Sequence, residues 1–440
     1  MMMISTATDT PTALEATLAQ GKRAFGMMSR LTTDQKNDAL ETLATLIETH
    51  QTALLAANQQ DLADNADTLD PALYQRLKLD EGKLVQLVQG IRQLKTLPDP
   101  CGQLLQRTEL DAGLILDKKT VPLGLIGIIF ESRPDVPAQV LSLILKSGNA
   151  VVFKGGREAQ HSNRAFMEHV IAPLTAQLDY LPEGWASMIE SRDEVQQMLA
   201  YPQYVDLVIP RGSNQLVQQI MASTSIPVLG HADGVCHQYV HPHANLTQAL
   251  EVVIDSKIQY PSACNALETL LVDAAVAPKF LPLLGDRCQT EGITLHACAE
   301  SLPHVPHATP ATEADWRTEY GNLTLAVKVV AGIEAAIAHI NQYGSHHTDG
   351  ILTEDAFAQA LFLAGVDSAS VYVNASTRFA DGFRYGLGAE VGISTSRTHA
   401  RGPVGLEGLV SYKYTLSGEH HVVRDYVGAT PAKQFTHRPL

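Results

Sequence analysis

The chain is short of cysteine: 440 residues carry five, Cys101, Cys236, Cys264, Cys288 and Cys298, with no CxxC pair. An odd number at irregular spacing argues against a disulfide framework, and a reducing cytosol is the expected compartment. Cations are also in deficit, 32 Lys and Arg against 47 Asp and Glu, a formal charge of −15. Nucleic acid and anionic membranes need a basic face, so neither is an expected partner. No apolar run approaches the ~20 residues of a membrane helix. The start, MMMISTATDTPTALEATLAQ, has no basic region ahead of an apolar core and is not Arg-rich, so no leader peptide is expected. Phosphate-binding fingerprints are missing as well. Neither GxGxxG nor GxxxxGK[ST] occurs, which excludes a Walker-type kinase. Seventeen histidines include the close pairs His304/His307, His346/His347 and His420/His421, but no HExxH or Cys/His zinc pattern, so no metal is expected.

What is present is an ordinary globular composition, 45% hydrophobic and 18% charged, at a length that calls for two or three domains. Residues 12–95 read as helices. Thr32-Thr33-Asp34-Gln35 opens a run with Ala39, Leu40, Leu43, Leu46 and Ile47 on one stripe, and Leu84, Leu87, Val88 and Ile91 repeat the pattern. The period then changes. Leu104 to Val121 reads as a hairpin turning at Asp111-Ala112-Gly113, and Val121 to Phe130 as one buried strand.

A helix at Ala138–Lys146 and a strand at Ala150–Phe153 complete a βαβ unit. Helix follows from Ser162 to Leu178, a strand at Tyr204–Pro210, a helix at Gln215–Ala222 and a short strand at Pro227–Gly230. This alternation predicts a doubly wound α/β domain, whose ligands gather beyond the carboxyl ends of the strands. Lys154 and Arg211-Gly212-Ser213 fall there. Gly-Ser leading into a helix suits a pyrophosphate, although taken alone it reads better as a simple N-cap.

A second α/β segment has a helix near Pro278–Leu284, strands at Leu323–Val330, Gly350–Thr353 and Ser370–Asn374, and helices at Ile333–Tyr343 and Ala356–Ala364. From Gly382 to Gly408 the chain is glycine-rich, as loops shaped around a ligand are. Leu409 to Val423 alternates as an edge strand that a partner chain could pair with.

The second segment opens with YPSACNALETLLV (260–272), a small polar stretch presenting Cys264 and running at once into an apolar strand. A lone cysteine is more often structural. Here a loop delivers the thiol, and Asn265 or backbone N–H groups stand ready for an oxyanion.

These stretches together are similar to the aldehyde dehydrogenase superfamily, and within it to the branch that reduces γ-glutamyl phosphate. The residues carrying the likeness are FESRPDVPAQ (130–139), SGNAVVFKGG (147–156), VIPRGSNQLV (208–217), GHADGVCHQYV (230–240), YPSACNALETLL (260–271), RTEYGNL (317–323), YGSHHTD (343–349) and the run from Val373 to Leu409. ESRPD and ACNALETLL also resemble the reductase half of the bifunctional eukaryotic proline-biosynthesis enzyme.

The resemblance implies a Rossmann-type cofactor domain (1–105 and 122–233), an α/β catalytic domain (234–408) and a small β oligomerisation element (106–121 and 409–424). It implies Cys264 as nucleophile, with NADPH reducing L-glutamyl 5-phosphate to the semialdehyde through a thioester, in the cytoplasm and in proline biosynthesis. The acyl phosphate would come from a separate glutamate kinase, and the assembly would be a homodimer or homotetramer.

Lys154, Gly212 and Ser213 match positions around the adenosine ribose and phosphates, and Glu319 the one near the nicotinamide ribose. Ser376, Thr377 and Arg378 match the substrate loop, with Arg133 and Arg401 as competing anchors for an anion.

Two departures stand out. His231 replaces the Glu with which hydrolytic members activate water, and either polarises substrate, tunes the thiol or is a loop histidine. Asp135 stands where an oxyanion-donating Asn is common, and an ionised Asp cannot donate. Nothing in the sequence places an Arg for a 2′-phosphate, so NADPH over NADH stays open. An NAD-linked semialdehyde dehydrogenase and a Cys264/His231 thiol hydrolase are the rival readings.

Overall fold

The computed structural model describes residues 12–230 and 233–440, and these divide into two compact units. The first holds residues up to 229 together with 388–391 and 405–440; the second holds 230–387 and 392–404.

Helices open the first unit, at Ala13–Met28, Thr33–Thr49, Gln51–Asp64, Pro71–Leu77 and Glu81–Thr96. Thr32 and Gln35 cap the second of these reciprocally, and its buried face includes Ala39, Leu40, Leu43, Leu46 and Ile47. A four-stranded parallel sheet follows, in the order Ala186–Met188, Ala150–Lys154, Leu125–Phe130, Leu207–Arg211. The chain steps outward from Leu125–Phe130 on one side and then returns to its other side. The order therefore reverses between Leu125–Phe130 and Leu207–Arg211, where open α/β sheets leave a crevice at their carboxyl ends.

The apolar run from Val121 to Phe130 is not one strand. It breaks after Pro122 and resumes at Leu125. Gly124 adopts φ +150°, and a Cβ there would lie 1.8 Å from Asp206 Oδ2. Asp206 accepts from the Leu125 N–H at 2.8 Å and is paired with Lys22. Hydrophobicity alone does not reveal such a break, because both halves are apolar. The helix expected at Ser162–Leu178 spans Gln160–Gln177 with a π turn at Met167–Ile171. The strand expected at Pro227–Gly230 reduces to a single bridge between Val208 and Val228.

The hairpin forms as expected, Leu104–Asp111 against Leu114–Pro122, turning through Gly113 at φ +75°. The tail strand is shorter than expected. It runs from Val410 to Ser417, pairing Val410 with Pro122 through to Ser417 with Ile115. Gly418 follows, where a Cβ would crowd Leu114 and His421.

The second unit is built on a seven-stranded parallel sheet. Its order is Thr309–Pro310, Thr294–Ala297, Thr324–Val330, Leu267–Asp273, Cys236–Val240, Thr348–Leu352, Ser370–Val373. Leu267–Asp273, the strand that leaves the thiol loop, is central and buried at every residue. Leu267, Leu270 and Val272 pack with Phe280, Leu281 and Leu284 of the Ala277–Glu291 helix, which extends further than the sequence pattern predicts. On the opposite face Leu271 joins Tyr239, Ile340 and Phe362. Such two-sided burial is what parallel sheets require. Part of the glycine-rich stretch pairs as Gly392–Ser394 with Gly402–Val404.

Among the described residues no helix is long and apolar enough to cross a membrane.

Candidate active site

Cys264 lies on the turn between the Leu246–Ile258 helix and the Leu267–Asp273 strand. The turn is closed by its own backbone, Ala263 N–H donating to Tyr260 O at 3.1 Å and Ala266 N–H to Ala263 O at 2.8 Å. Two residues from the neighbouring strand entry hold it from outside. Gly234 packs so closely that a Cβ there would fall 2.1 Å from the Cys264 carbonyl oxygen and 2.6 Å from its Cα. Cys236 Sγ–H donates to that same carbonyl at 3.3 Å. Cys236 is fully buried, and burial raises its thiol well above the ordinary range, so it remains the neutral donor this bond needs.

The other thiols are built differently. Cys288 and Cys298 are buried, and burial raises Cys288 to about 12. Cys101 is half-buried like Cys264, but its Sγ meets Ser147 O at 3.1 Å and burial raises it to about 11. Cys264 alone combines partial exposure with a loop at the carboxyl-terminal end of a helix and the entry of a central strand.

Asn265 does not face outward as an oxyanion donor. It is buried, and its Nδ2 donates to the Ala380 carbonyl at 2.8 Å. The side chain pins the loop to the 377–380 turn. Its sequence position beside the thiol concealed this, since the direction of a loop side chain is a tertiary property.

Ser376, Thr377 and Arg378 come together at that turn, beyond the Ser370–Val373 strand. Ser376 Oγ accepts from Ser256 Oγ at 3.2 Å and from the Arg378 N–H, which is a structural use. Thr377 Oγ1 is buried without a hydrogen-bond partner. Arg378 Nε donates to Gln259 Oε1 at 2.8 Å, and its guanidinium lies 5.8 Å from the Tyr260 ring centroid. Burial, then Arg384, lowers the Arg378 pKa, while Cys264 opposes that shift. Arg401, by contrast, is committed to Asp367 at 3.0 Å as a structural ion pair. Arg133 lies half-buried in the first unit. His231 lies outside the described residues.

Glu319 sits half-buried on the segment between the Glu313–Arg317 turn and the Thr324–Val330 strand. Asp315 organises this segment. It accepts from Thr312 N–H at 2.6 Å, Thr312 Oγ1 at 2.7 Å and Tyr320 OH at 2.5 Å, and meets His296 Nδ1 at 2.6 Å. Burial opposes ionisation, but those hydrogen bonds prevail and hold the carboxyl well below the ordinary range. Asp315→Ala is expected to cost about 3 kcal/mol in urea unfolding, because several donors to a buried charged acceptor lose it together. A carboxyl depressed on folding stabilises above its unfolded value of 3.8. The wild type should therefore lose this contribution as pH falls below about 4, while the variant shows a flatter acid profile.

In the first unit, Lys154 and Arg211 end the strands flanking Leu125–Phe130, in register with Ile129 and Phe130. Burial lowers the Lys154 pKa, with Glu158 opposing. Gly212 and Ser213 open the Asn214–Ser223 helix, and Ser213 Oγ caps it through the Leu216 N–H. The Ser213 N–H is already engaged, donating to Glu131 Oε2 at 2.9 Å. A Cβ on Gly212 would meet that oxygen at 2.5 Å. A cation and a side-chain-free helix entry at the sheet's switch point fit the ribose and phosphate end of a dinucleotide. The Glu131 carboxylate, however, occupies the amide that a phosphate would use, so Ser213 meets a phosphate only if Glu131 swings away. Asp135 stands at the N-cap of the Val136–Ser147 helix and makes no side-chain capping bond.

Comparison with known proteins bears on this arrangement. Residues 2–296 match the model of the aldehyde dehydrogenase family. The chain belongs to the aldehyde dehydrogenase family. It is 51% identical over 437 residues, 98% of this chain and 95% of the relative, to gamma-glutamyl phosphate reductase of Synechococcus sp. (strain JA-3-3Ab). It is 48% identical, covering 98% and 97%, to that of Methanococcoides burtonii. The crystal structure of gamma-glutamyl phosphate reductase from Thermotoga maritima superposes with a TM-score of 0.91 at 37% identity, covering 93% of this chain and all of the other. The aldehyde dehydrogenase fold expected from the motifs is the one observed.

The sequence motifs missed three parts of the site: Gly234, Cys236 and the buried pair Lys257–Glu268. Gly234 and Cys236 lie within GHADGVCHQYV, but only the packing reveals what they touch.

Proposed function

We propose that this aldehyde dehydrogenase family member is a glutamate-5-semialdehyde dehydrogenase. It reduces L-glutamyl 5-phosphate to L-glutamate 5-semialdehyde and phosphate in proline biosynthesis, with NADPH as reductant. The observation that carries the reading is the clamped Cys264 loop, with Arg378 bonded to Gln259 where that loop leaves its helix, in a chain about half identical to gamma-glutamyl phosphate reductases over nearly its whole length.

Cys264, as thiolate, attacks the C5 carbonyl; the C–O bond to phosphate breaks and a thioester forms on sulfur. A bound reduced nicotinamide supplies hydride to this carbonyl. The resulting thiohemiacetal collapses, the C–S bond breaks, and the thiolate is regenerated as the semialdehyde leaves. Arg378, with the unspent Thr377 hydroxyl beside it, holds an anionic group of the substrate. Ser376 shapes that turn, and Arg133 is the second candidate anchor. Lys154, Gly212 and Ser213 hold the adenosine ribose and diphosphate, and Glu319 the nicotinamide ribose. His231 stands where hydrolytic relatives carry the water-activating Glu, and in this reading it polarises the substrate or tunes the thiol.

In this reading residues 1–105 and 122–233 bind the cofactor, 234–408 carry the thiol, and 106–121 with 409–424 join subunits. Tyr412, Tyr414 and Leu416, exposed on the edge strand, support a homodimer or a dimer of dimers. Five cysteines and no disulfide among the described residues suit the cytoplasm, where a separate glutamate kinase would supply the substrate.

The reverse reaction tests the proposal. Oxidation of glutamate semialdehyde should require inorganic phosphate, proceed faster with NADP than with NAD, and exceed the rate with simple aldehydes. Phosphate-independent oxidation would overturn it.

A further inference from the structure

The Lys257–Glu268 pair has no part in the chemistry above, yet it is an ion pair beside the thiol loop with both side chains fully enclosed. Lys257 Nζ donates to Glu268 Oε2 at 2.7 Å and to the Leu267 carbonyl at 2.9 Å. The other carboxylate oxygen, Oε1, accepts the Gly321 N–H at 3.2 Å. Burial pushes the carboxyl up to about 7 against the pull of Lys257, and pushes the ammonium down against the pull of Glu268.

Two charges taken out of water add little over apolar residues of the same volume. Direction is what they add. The pair ties the end of the Leu246–Ile258 helix, the start of the Leu267–Asp273 strand and the 321 backbone to one point.

The strand is shaped for this. Cys236 pairs with Leu267 and His237 with Thr269, leaving Glu268 as an extra residue in a bulge. Bulges of this kind re-aim a side chain. Between Glu319 and Gly321, Tyr320 is held by Asp315. Glu319 thus stands beside two consecutive anchored residues, one tied to Asp315 and the next to Glu268. Gly321 turns the chain there at φ +61°, with nothing within 4 Å of where a Cβ would be.

We propose that Lys257 and Glu268 are positioning residues that set the height of the 319–321 segment, and through it Glu319, against the strand that follows the thiol. The proposal rests on Glu319 being a cofactor contact, and its test separates the two.

Lys257 and Gly321 bond different carboxylate oxygens, so Glu268→Gln, whose NH2 takes one of the two positions and can only donate, cannot hold both donors where they now lie. Hydrogen exchange of the Gly321 amide in ligand-free Glu268→Gln should be faster by about tenfold or more. The KM for NADPH should rise by about tenfold, with the KM for acyl phosphate and kcat at saturating cofactor within about twofold. Glu319→Gln should show the same split, and the two changes together should be less than additive.

Unchanged exchange, or equal losses toward both substrates, would overturn the proposal. A raised KM in Glu319→Gln beside an unchanged one in Glu268→Gln would sink the proposal alone. An unchanged KM in Glu319→Gln would remove both the cofactor reading and the proposal. Where Glu268→Gln does not fold, Lys257→Met/Glu268→Leu leaves no unpaired charge and still deletes the Gly321 acceptor, with the same readouts expected.

Discussion

Cys264→Ala should abolish turnover while the nicotinamide cofactor still binds with its wild-type Kd. On the proposed route catalysis fails without the atom that accepts the acyl group, and no other thiol is placed to replace it. Cys236 is fully buried with its S–H committed to the Cys264 carbonyl, and Cys101 lies in the first unit with its sulfur bonded to Ser147. Single-turnover release of phosphate should fall to background, a loss of about 10⁴-fold or more, as for other removed nucleophiles. Cys264→Ser should be nearly as inactive, since a hydroxyl is a far weaker nucleophile than a thiolate. Phosphate release by Cys264→Ala at the wild-type rate would show that the acyl group is never carried on sulfur.

Gly234→Ala is the second large effect, and it operates without touching any reacting group. The added methyl would sit 2.1 Å from the Cys264 carbonyl oxygen and 2.6 Å from its Cα. Both partners are backbone, so no flexible side chain can yield, and the loop must move by about an ångström to regain ordinary contact. A displacement of that size at a nucleophile costs about 10²-fold in rate. We expect kcat to drop by that factor with the fold retained, as read by an unchanged circular dichroism spectrum. NADPH affinity should be unchanged. Cys236→Ala, which removes only the S–H donor, should cost several-fold at most, because a thiol hydrogen bond is weak. A fully active Gly234→Ala enzyme would mean that the close approach does not position the thiol.

Much of this molecule was legible from residue order alone. The 3.6-residue stripe at Ala39, Leu40, Leu43, Leu46 and Ile47 and the hairpin across Gly113 are set by local periodicity and turn chemistry, and both form as read. The thiol loop announced itself through small polar residues ahead of an apolar run. The errors share one cause. Val121–Phe130 looked continuous because the residue that breaks it, Asp206, comes 82 positions after Gly124. Ser213 caps its helix as its position before Asn214 implies, but Glu131, which occupies its amide, belongs to another strand end.

By itself the sequence determined the kinds of element, their order along the chain and the presence of a thiol between a helix and a buried strand. It did so because these depend on neighbours within about a turn of backbone. Folding decided the rest. The direction of Asn265, the pressure of Gly234 on Cys264, the commitment of Arg401 to Asp367 and the enclosure of Glu268 in a fully buried strand each arise from groups distant in sequence. Burial then makes those contacts directional, since a polar atom shut away from water must find a partner wherever the packing has placed one.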